Sequence, residues 1–473
     1  MALLGQRRQS RAAKRRERES LPSSPDDGSD VVIERLAHDG RGVARNRQGK
    51  TLFVERALPG ERVETAVHAR RGRFDEAHVR RLVTASAERI EPACVHFGRC
   101  GGCDLQHLAP EGQKRHKRQV LEEHCRREGV ALPDIETLAG EALGYRRRAR
   151  LGVRVGSNGE RYFGYRLRGQ ERLFDVEQCP ILAPRLEALL QPLRALIDAL
   201  EAPRRLGHIE LMAGDDEIMV TLRQLKRVPA DIERWRNFAD EQGLLVTMIA
   251  EGTVDERTGS EVERAGEARP LVHERLDRRG HEPLVYRPLG AGPGPEVAVE
   301  SGDFLQVNAL VNRRLVSQVL DWCQAAGAER VADLFAGVGN FSLALADRGV
   351  QVQAFEGRES MVRRLRDNAR RNALDGRLEA VCTDLSEAPP GLDRNDLVLL
   401  DPPRGGARDI CRVLGEAGPS HLIYVSCEPA TLARDARLLT AGGYRVTRAA
   451  VAEMFPQTAH LEAVLMFERG SVP

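Results

Sequence analysis

A cysteine stands where an apolar run stops. In "LIYVSCEPATLARD", from Leu422 to Asp435, the strand-like residues end at Ser426, Cys427 follows, and a helix-like stretch opens at Pro429. A thiol in that place can fill a core, bind a metal or attack a substrate. Two more apolar runs carry acids at their ends: "LLDPPRGGA" sets Asp401 before Pro402 and Pro403, and "PQTAHLEAV" sets Glu462 at a strand start. In "DLFAGVGNFS", Gly337 and Gly339 come directly after a strand. Glycines there let the backbone turn tightly and come close to a ligand.

Glu356 ends the next strand-like run, 19 residues after Gly337, and Asp384 ends the one after that. The first acid can accept both hydroxyls of a ribose, and the second can reach an adenine edge. A dinucleotide fingerprint wants a third glycine, and Ser342 occupies its place. S-adenosylmethionine carries no phosphate and needs no pyrophosphate cradle. The pattern therefore favours a methyltransferase over an NAD enzyme.

Ligands of doubly wound sheets lie beyond the carboxyl ends of the strands, so Asp401 and Cys427 are expected side by side, facing the cofactor. A thiol ahead of a helix N-terminus is expected to have a lowered pKa. Glu428 beside it opposes thiolate formation unless it points away. A methyltransferase uses a thiolate when its target carbon is a poor nucleophile, as carbon 5 of a pyrimidine is. Thiolate addition at carbon 6 makes an enolate, and carbon 5 then attacks the sulfonium methyl. A base removes the carbon 5 proton, and elimination frees the thiolate. Glu462 is the candidate base.

Nine cysteines occur, and three form C-x5-C-x2-C at Cys94, Cys100 and Cys103, with Cys179 in "EQCP" as a candidate fourth ligand. An odd cysteine count in a long chain without a secretory h-region does not read as a disulfide framework. Spacing alone leaves zinc and an iron–sulfur cluster both open. It differs from the C-x3-C-x2-C of radical S-adenosylmethionine enzymes. Cys125, Cys323 and Cys411 read as ordinary helix residues, and Cys382 as a mid-strand core residue.

The elements that must carry these groups fall into four stretches. Residues 1–25 are a basic, polar arm, expected to be disordered. Residues 26–87 hold about five short β-type runs parted by Gly-rich and Pro-Gly turns, an OB-type barrel. Residues 88–296 mix strands and short helices in an α+β central domain that carries the cysteine cluster, with an ambiguous loop-rich stretch at 254–296. Residues 297–473 alternate strand and helix. Strands there are apolar nearly throughout, as in a parallel sheet buried on both faces, so the domain is Rossmann-like, doubly wound α/β. "YRVTRAAVAEMFP" and "HLEAVLMFER" suit a terminal hairpin on that sheet.

The chain of 473 residues has a net charge of only +2, yet residues 1–150 carry 31 Lys and Arg against 22 Asp and Glu. A basic N-terminal third suits a polyanion such as nucleic acid. No apolar run approaches the roughly 20 residues that span a bilayer. A cytoplasmic location is expected, with no membrane partner.

"FLQVNALVN", "DLFAGVGNFSLAL", "LLDPPRGGA", "YVSCEPATLARD" and "PQTAHLEAV" together resemble the motif series of the RNA uracil-C5 methyltransferases. The resemblance implies that the small barrel is a TRAM domain, an RNA-binding module. It puts the nucleophile on Cys427 and the general base on Glu462. Its S-adenosylmethionine contacts fall on Gln306, Phe335, Asn340, Glu356, Asp384 and Asp401, beside the Gly337–Gly339 turn, and Asp401 also positions the uracil. It turns the open metal question to a [4Fe–4S] cluster on Cys94, Cys100, Cys103 and Cys179, with a structural or RNA-shaping role. Family members acting on tRNA lack that cluster, and one rRNA branch has it without TRAM. Having both, this chain is similar to the branch that methylates uracil 1939 of 23S rRNA, and a monomer bound to that RNA is expected. It departs from its relatives in "DPPRGGA" for "DPARAGA" and "CEPAT" for "CNPAT". An RNA cytosine-C5 methyltransferase would carry Pro-Cys where Pro403 and Arg404 stand. An inactive RNA-binding assembly factor would not need Cys427, Glu462 and the glycine turn intact.

Overall fold

The computed structural model describes residues 30–251, 271–280 and 282–470. The arm at residues 1–25 and part of the loop-rich stretch 254–296 lie outside the described residues. The chain divides into two compact units.

One unit comprises residues 30–93, 103–116 and 457–459 of those described. Its strands are β1 (Asp30–Val32), β2 (Arg35–Leu36), β3 (Gly42–Arg45), β4 (Thr51–Glu55), β5 (Arg62–Arg70) and β6 (Phe74–Thr84), in the order β1-β5-β6-β4-β3-β2. Alternation along β4 and β5 sends Leu52, Val54 and Val63 into a core with Ile33 and Ala77. Six strands form where about five are expected, because the chain changes partner between β1 and β2. Ile33 N–H donates to the Glu61 carbonyl on one side, and Glu34 N–H to the Val43 carbonyl on the other. Three register shifts in the β5–β6 ladder bend it.

The other unit comprises residues 94–102, 117–456 and 460–470 of those described. After β7 (Ile135–Leu138) comes a seven-stranded sheet of β8 (Arg148–Val155), β9 (Arg161–Arg166), β10 (Leu173–Asp175), β11 (Leu206–Ala213), β12 (Ile218–Gln224), β13 (Leu245–Glu251) and β14 (Leu271–Arg275). Helices Leu190–Ala199 and Pro229–Gln242 join its core through Leu193, Ile197, Trp235 and Phe238. The second helix begins on a proline and ends at left-handed Gly243, the usual asymmetry of helix ends. β15 (Leu284–Tyr286) and β16 (Val297–Val299) then pair with each other.

The largest sheet contains β17 (Arg330–Leu334), β18 (Gln351–Glu356), β19 (Leu378–Cys382), β20 (Leu397–Leu400), β21 (His421–Ser426), β22 (Tyr444–Ala452) and β23 (Glu462–Arg469). The order is β19-β18-β17-β20-β21-β23-β22-β7. β17 to β21 are parallel, and the order reverses between β17 and β20, which makes a switch point there. Both faces are covered. Leu397 and Leu399 pack with helix Ala309–Ala325 residues such as Leu315 and Val319, while Val398 and Leu400 pack with Ile410 and Leu432 of helices Arg408–Ala417 and Pro429–Ala441. The C-terminal hairpin forms, with β23 rather than β22 next to β21. β7 adds a strand from far earlier in the chain, parallel to β22. Cys125, Cys323 and Cys411 are buried helix residues, but Cys382 is exposed, a correction to its core reading. It closes β19, the edge strand, where one side has no neighbour. No helix among the described residues is long and apolar enough to cross a membrane.

Candidate active site

β17 ends at Leu334, and the chain turns through residues 335–341 into helix Ser342–Asp347. Phe335, Gly337 and Gly339 have φ of 66°, 59° and 104°, the left-handed region that strains most side chains. The two glycines serve differently. A Cβ at Gly337 would meet nothing within 4 Å, so that turn is open to a ligand, while one at Gly339 would strike Leu365 at 2.6 Å. Gly337 N–H donates to Glu356 Oε2 at 3.1 Å and Arg358 N–H to Oε1 at 3.0 Å, which aims the carboxylate beside the turn. Asn340 exchanges hydrogen bonds with Asn312 at 2.8 and 3.0 Å and accepts the Tyr286 hydroxyl at 3.1 Å. The Tyr286 ring lies 4.6 Å under the Arg147 guanidinium, whose Nε donates to the Gln306 carbonyl at 2.7 Å. Gln306 and Asn340 are thus tied to one buried network. Asp384 lies exposed just past β19, and the Ser386 N–H, 2.9 Å from its Oδ1, holds its carboxyl below the ordinary range. Glu356, Asp384 and Asp401 follow or end successive strands at the carboxyl edge.

The reacting groups meet through sheet register. Asp401 directly follows β20, and its N–H donates to the Leu334 carbonyl at 3.3 Å. Cys427 directly follows β21. The last pair of the antiparallel β21–β23 ladder is Ser426 with Ala463, so one step on, Cys427 stands opposite Glu462. Glu462 is buried, and burial together with the Asp401 charge holds its carboxyl well above the usual range. Burial pushes Asp401 up to about 7. Asp333, on β17, is also pushed up to about 7 by burial, against a hydrogen bond from the Ser342 hydroxyl.

The thiol does not behave as its place before a helix suggests. Burial pushes Cys427 up to about 11, Glu462 and Asp401 add to the rise, and Arg404 opposes it. The lowered pKa expected from the helix N-terminus is therefore corrected: two carboxylates and desolvation outweigh it. The carboxylates that act are across the ladder and on β20, and Glu428 only caps helix Pro429–Ala441 with its backbone.

Several supporting residues lie inside a quoted motif without a role read from the sequence. Asp435 is fully buried on helix Pro429–Ala441. It accepts from the Ala407 N–H, the Tyr424 hydroxyl and Arg434 Nε, each at 2.8 Å. Arg434 and Thr431 also donate to the carbonyls of Gly405 and Arg404, at 2.9 and 3.2 Å. Together they hold the loop that follows Asp401. One signal was available, a single acid on the helix face of Leu432, Ala433, Ala436 and Leu439.

The cysteines of the second cluster are less tightly gathered. Cys94, Cys100 and Cys179 belong to the larger unit, and Cys103 is buried in the smaller one. Cys100 Sγ accepts the Gly102 N–H at 3.3 Å, and the Cys179 N–H donates to Glu187 Oε1 at 2.9 Å. Burial raises Cys100 and pushes Cys179 up to about 11, and the Cys94 thiol adds to the rise of both. The three thiols are therefore within one another's field, and a Tyr165 side chain bonds to Cys179. Among the described residues, however, no group of three or more His, Cys, Asp or Glu side chains stands close enough to hold a metal ion. The expected four-cysteine ligand set is not assembled to coordination distance.

A family model described as tRNA (Uracil-5-)-methyltransferase matches residues 111–381 and 393–470, and one described as TRAM domain matches residues 29–79. The 23S rRNA (uracil(1939)-C(5))-methyltransferase RlmD of Chromohalobacter salexigens is 50% identical over 480 residues, covering 100% of this chain and 96% of that protein. The protein of the same name from Pectobacterium atrosepticum is 38% identical over 443 residues, covering 92% and 93%. Among solved structures, the Pyrococcus abyssi tRNA (uracil-54, C5)-methyltransferase in complex with S-adenosyl-L-homocysteine superposes with a TM-score of 0.69. That match covers 93% of this chain and 100% of the other at 24% identity, a likeness of fold.

Proposed function

The chain belongs to the uracil-5-methyltransferase family, and from that premise we propose that it methylates carbon 5 of uracil 1939 in 23S rRNA. The observation that carries the chemistry is the β21–β23 register, which sets a thiol opposite a buried carboxylate at the carboxyl edge of the sheet. The choice of RNA rests on the name shared by full-length relatives and on the TRAM match.

In this reading Phe335, the Gly337–Gly339 turn, Asn340, Gln306, Glu356, Asp384 and Asp401 bind S-adenosylmethionine, which supplies an electrophilic methyl group. The target uracil leaves its RNA stack to reach Cys427. The Cys427 thiol gives up its proton to solvent, the thiolate sulfur bonds to carbon 6, and the ring electrons move toward the carbon 4 oxygen. As the enolate carbonyl re-forms, carbon 5 takes the methyl and S-adenosylhomocysteine is released. Glu462 removes the carbon 5 proton, the carbon–sulfur bond breaks, and the thiolate returns. Burial and the Asp401 charge favour the protonated form of Glu462, and it acts as base only from its carboxylate form.

Cys94, Cys100, Cys103 and Cys179 would hold a [4Fe–4S] cluster. Support comes from the donor chemistry, soft thiols with three of them already in mutual field and an N–H directed at the Cys100 sulfur. The cluster would supply a crosslink between segments distant in sequence. The reading carries with it a cytoplasmic monomer, which sedimentation would check.

The test is covalent trapping on RNA containing 5-fluorouridine at 1939, where fluorine blocks the final proton removal. Wild type should give a denaturant-resistant protein–RNA band that needs S-adenosylmethionine. No band from wild type, or a band from Cys427→Ala, sinks the mechanism. Loss of 5-methyluridine at 1939 in cells lacking the protein tests the target.

A further inference from the structure

Helix Pro110–Arg127 is rich in basic residues, yet Lys117 within it is only 1% exposed. Its Nζ donates to Glu453 Oε2 at 2.8 Å and to the Phe455 carbonyl at 3.0 Å. Glu453 is 3% exposed, and its second carboxylate oxygen has no hydrogen-bond partner. Burying such a pair rarely adds stability over apolar residues of the same shape, because desolvation cancels the attraction. What the pair does determine is where the backbone runs.

That backbone leads to the base. Ala452 pairs with Glu462 in the β22–β23 ladder, so Glu453 is the first residue past the ladder's end. Its N–H donates to the Leu138 carbonyl at 2.9 Å, and its carbonyl accepts Asn308 Nδ2 at 3.4 Å. Three residues on, the Pro456 carbonyl accepts the Tyr145 hydroxyl at 2.8 Å. Lys117 is the one ion in this set of anchors. It grips a side chain and a carbonyl of the same short segment, and burial keeps it from any ligand.

We propose that Lys117 is a positioning residue for the general base: by fixing residues 453–455 it sets the orientation of Glu462 against carbon 5. The inference rests on the reading of Glu462 as base and adds a residue that touches neither RNA nor cofactor.

A base displaced by a fraction of an ångström still allows thiol addition and methyl transfer but delays proton removal. The methylated adduct should then persist on ordinary uridine RNA, where wild type releases it. Lys117→Met leaves Glu453 buried and unpaired and can impair folding, so the pair Lys117→Met with Glu453→Met is made as well. For the double variant, turnover should fall about 10- to 100-fold, as for small misplacements of a catalytic group. S-adenosylmethionine affinity by calorimetry should stay unchanged. A denaturant-resistant adduct should accumulate with uridine RNA and S-adenosylmethionine. Trapping on 5-fluorouridine RNA should remain at the wild-type level, because that adduct does not need the base. Turnover at the wild-type rate, or lost turnover with no persisting adduct, overturns the inference. Failure of wild type to trap 5-fluorouridine RNA would instead strike at the covalent mechanism itself.

Discussion

Cys427 and Glu462 stand at the ends of neighbouring strands in one ladder, whereas Cys94, Cys100 and Cys179 stand on irregular segments. At the sheet edge every backbone bond from His421 to Ser426 helps fix where the thiol comes out, and the opposing strand fixes the carboxylate. At the cysteine cluster the holding bonds are those of turns and single bridges rather than a ladder, among them the isolated bridge from Cys100 to Leu167, the Gly101 N–H on the Arg166 carbonyl at 3.1 Å, and the Cys179 N–H on Glu187. Regular ladders do much to preorganise a reactive pair. A ligand set carried on loops is drawn together by what it binds, because the order lost in closing those loops needs a compensating bond. The first centre is therefore expected to be sensitive to chemistry and tolerant in fold, and the second the reverse.

The sharpest way to break that contrast is Cys427→Ala. Removing the nucleophile should lower 5-methyluridine formation by at least about 10⁴-fold, in line with other covalent catalysts. The melting temperature should hardly move, because a half-buried strand-end thiol adds little packing. A large drop in melting temperature would mean that the thiol is structural and the contrast false. Glu462→Gln comes next. Turnover should fall about 10²- to 10⁴-fold, the usual worth of a general base, and the methylated adduct should accumulate on uridine RNA, seen as a denaturant-resistant band.

How much of this was legible in the sequence follows the same division. Runs such as "LVLL" and "HLIYVS" announce strands buried on both faces, and their ends announce Asp401 and Cys427. The glycine turn announces Phe335 to Asn340. None of that needs distant information. β7 was not legible, since four residues, "IETL", gain their place only by pairing with β22 more than 300 residues later. Lys117 looked like one cation among many in a basic helix, and its burial is decided by Glu453. The rise of the Cys427 pKa was hidden for the same reason, because Glu462 and Asp401 reach it through register rather than along the chain.

That rise gives a prediction of intermediate size. At neutral pH the thiol is protonated, and below its folded value of about 11 each pH unit gained raises the thiolate fraction about tenfold. Single-turnover trapping of 5-fluorouridine RNA should therefore climb with pH across the alkaline range instead of levelling near neutrality. Glu462 contributes to the rise, so in Glu462→Gln the same profile should shift to lower pH. A wild-type rate that is flat above neutrality would show that thiolate formation does not limit trapping.

The smallest effect is expected where the contrast predicts fold sensitivity. Cys179→Ser keeps the size of the side chain and a hydrogen-bonding atom for Tyr165 but replaces a soft ligand by a poor one. If the cysteines hold a cluster, protein purified without oxygen should lose its iron and its visible absorbance, and the melting temperature should fall by several degrees, about 2–4 °C for each kcal/mol lost in a domain of this size. Affinity for S-adenosylmethionine should be unchanged, because no contact of the glycine turn passes through Cys179. Trapping on 5-fluorouridine RNA should fall only a few-fold, through weaker RNA binding rather than through chemistry. A variant as stable as wild type would mean that loops alone hold these segments. A variant that loses the covalent band altogether would tie the cluster to the reaction and erase the distinction between the two regions.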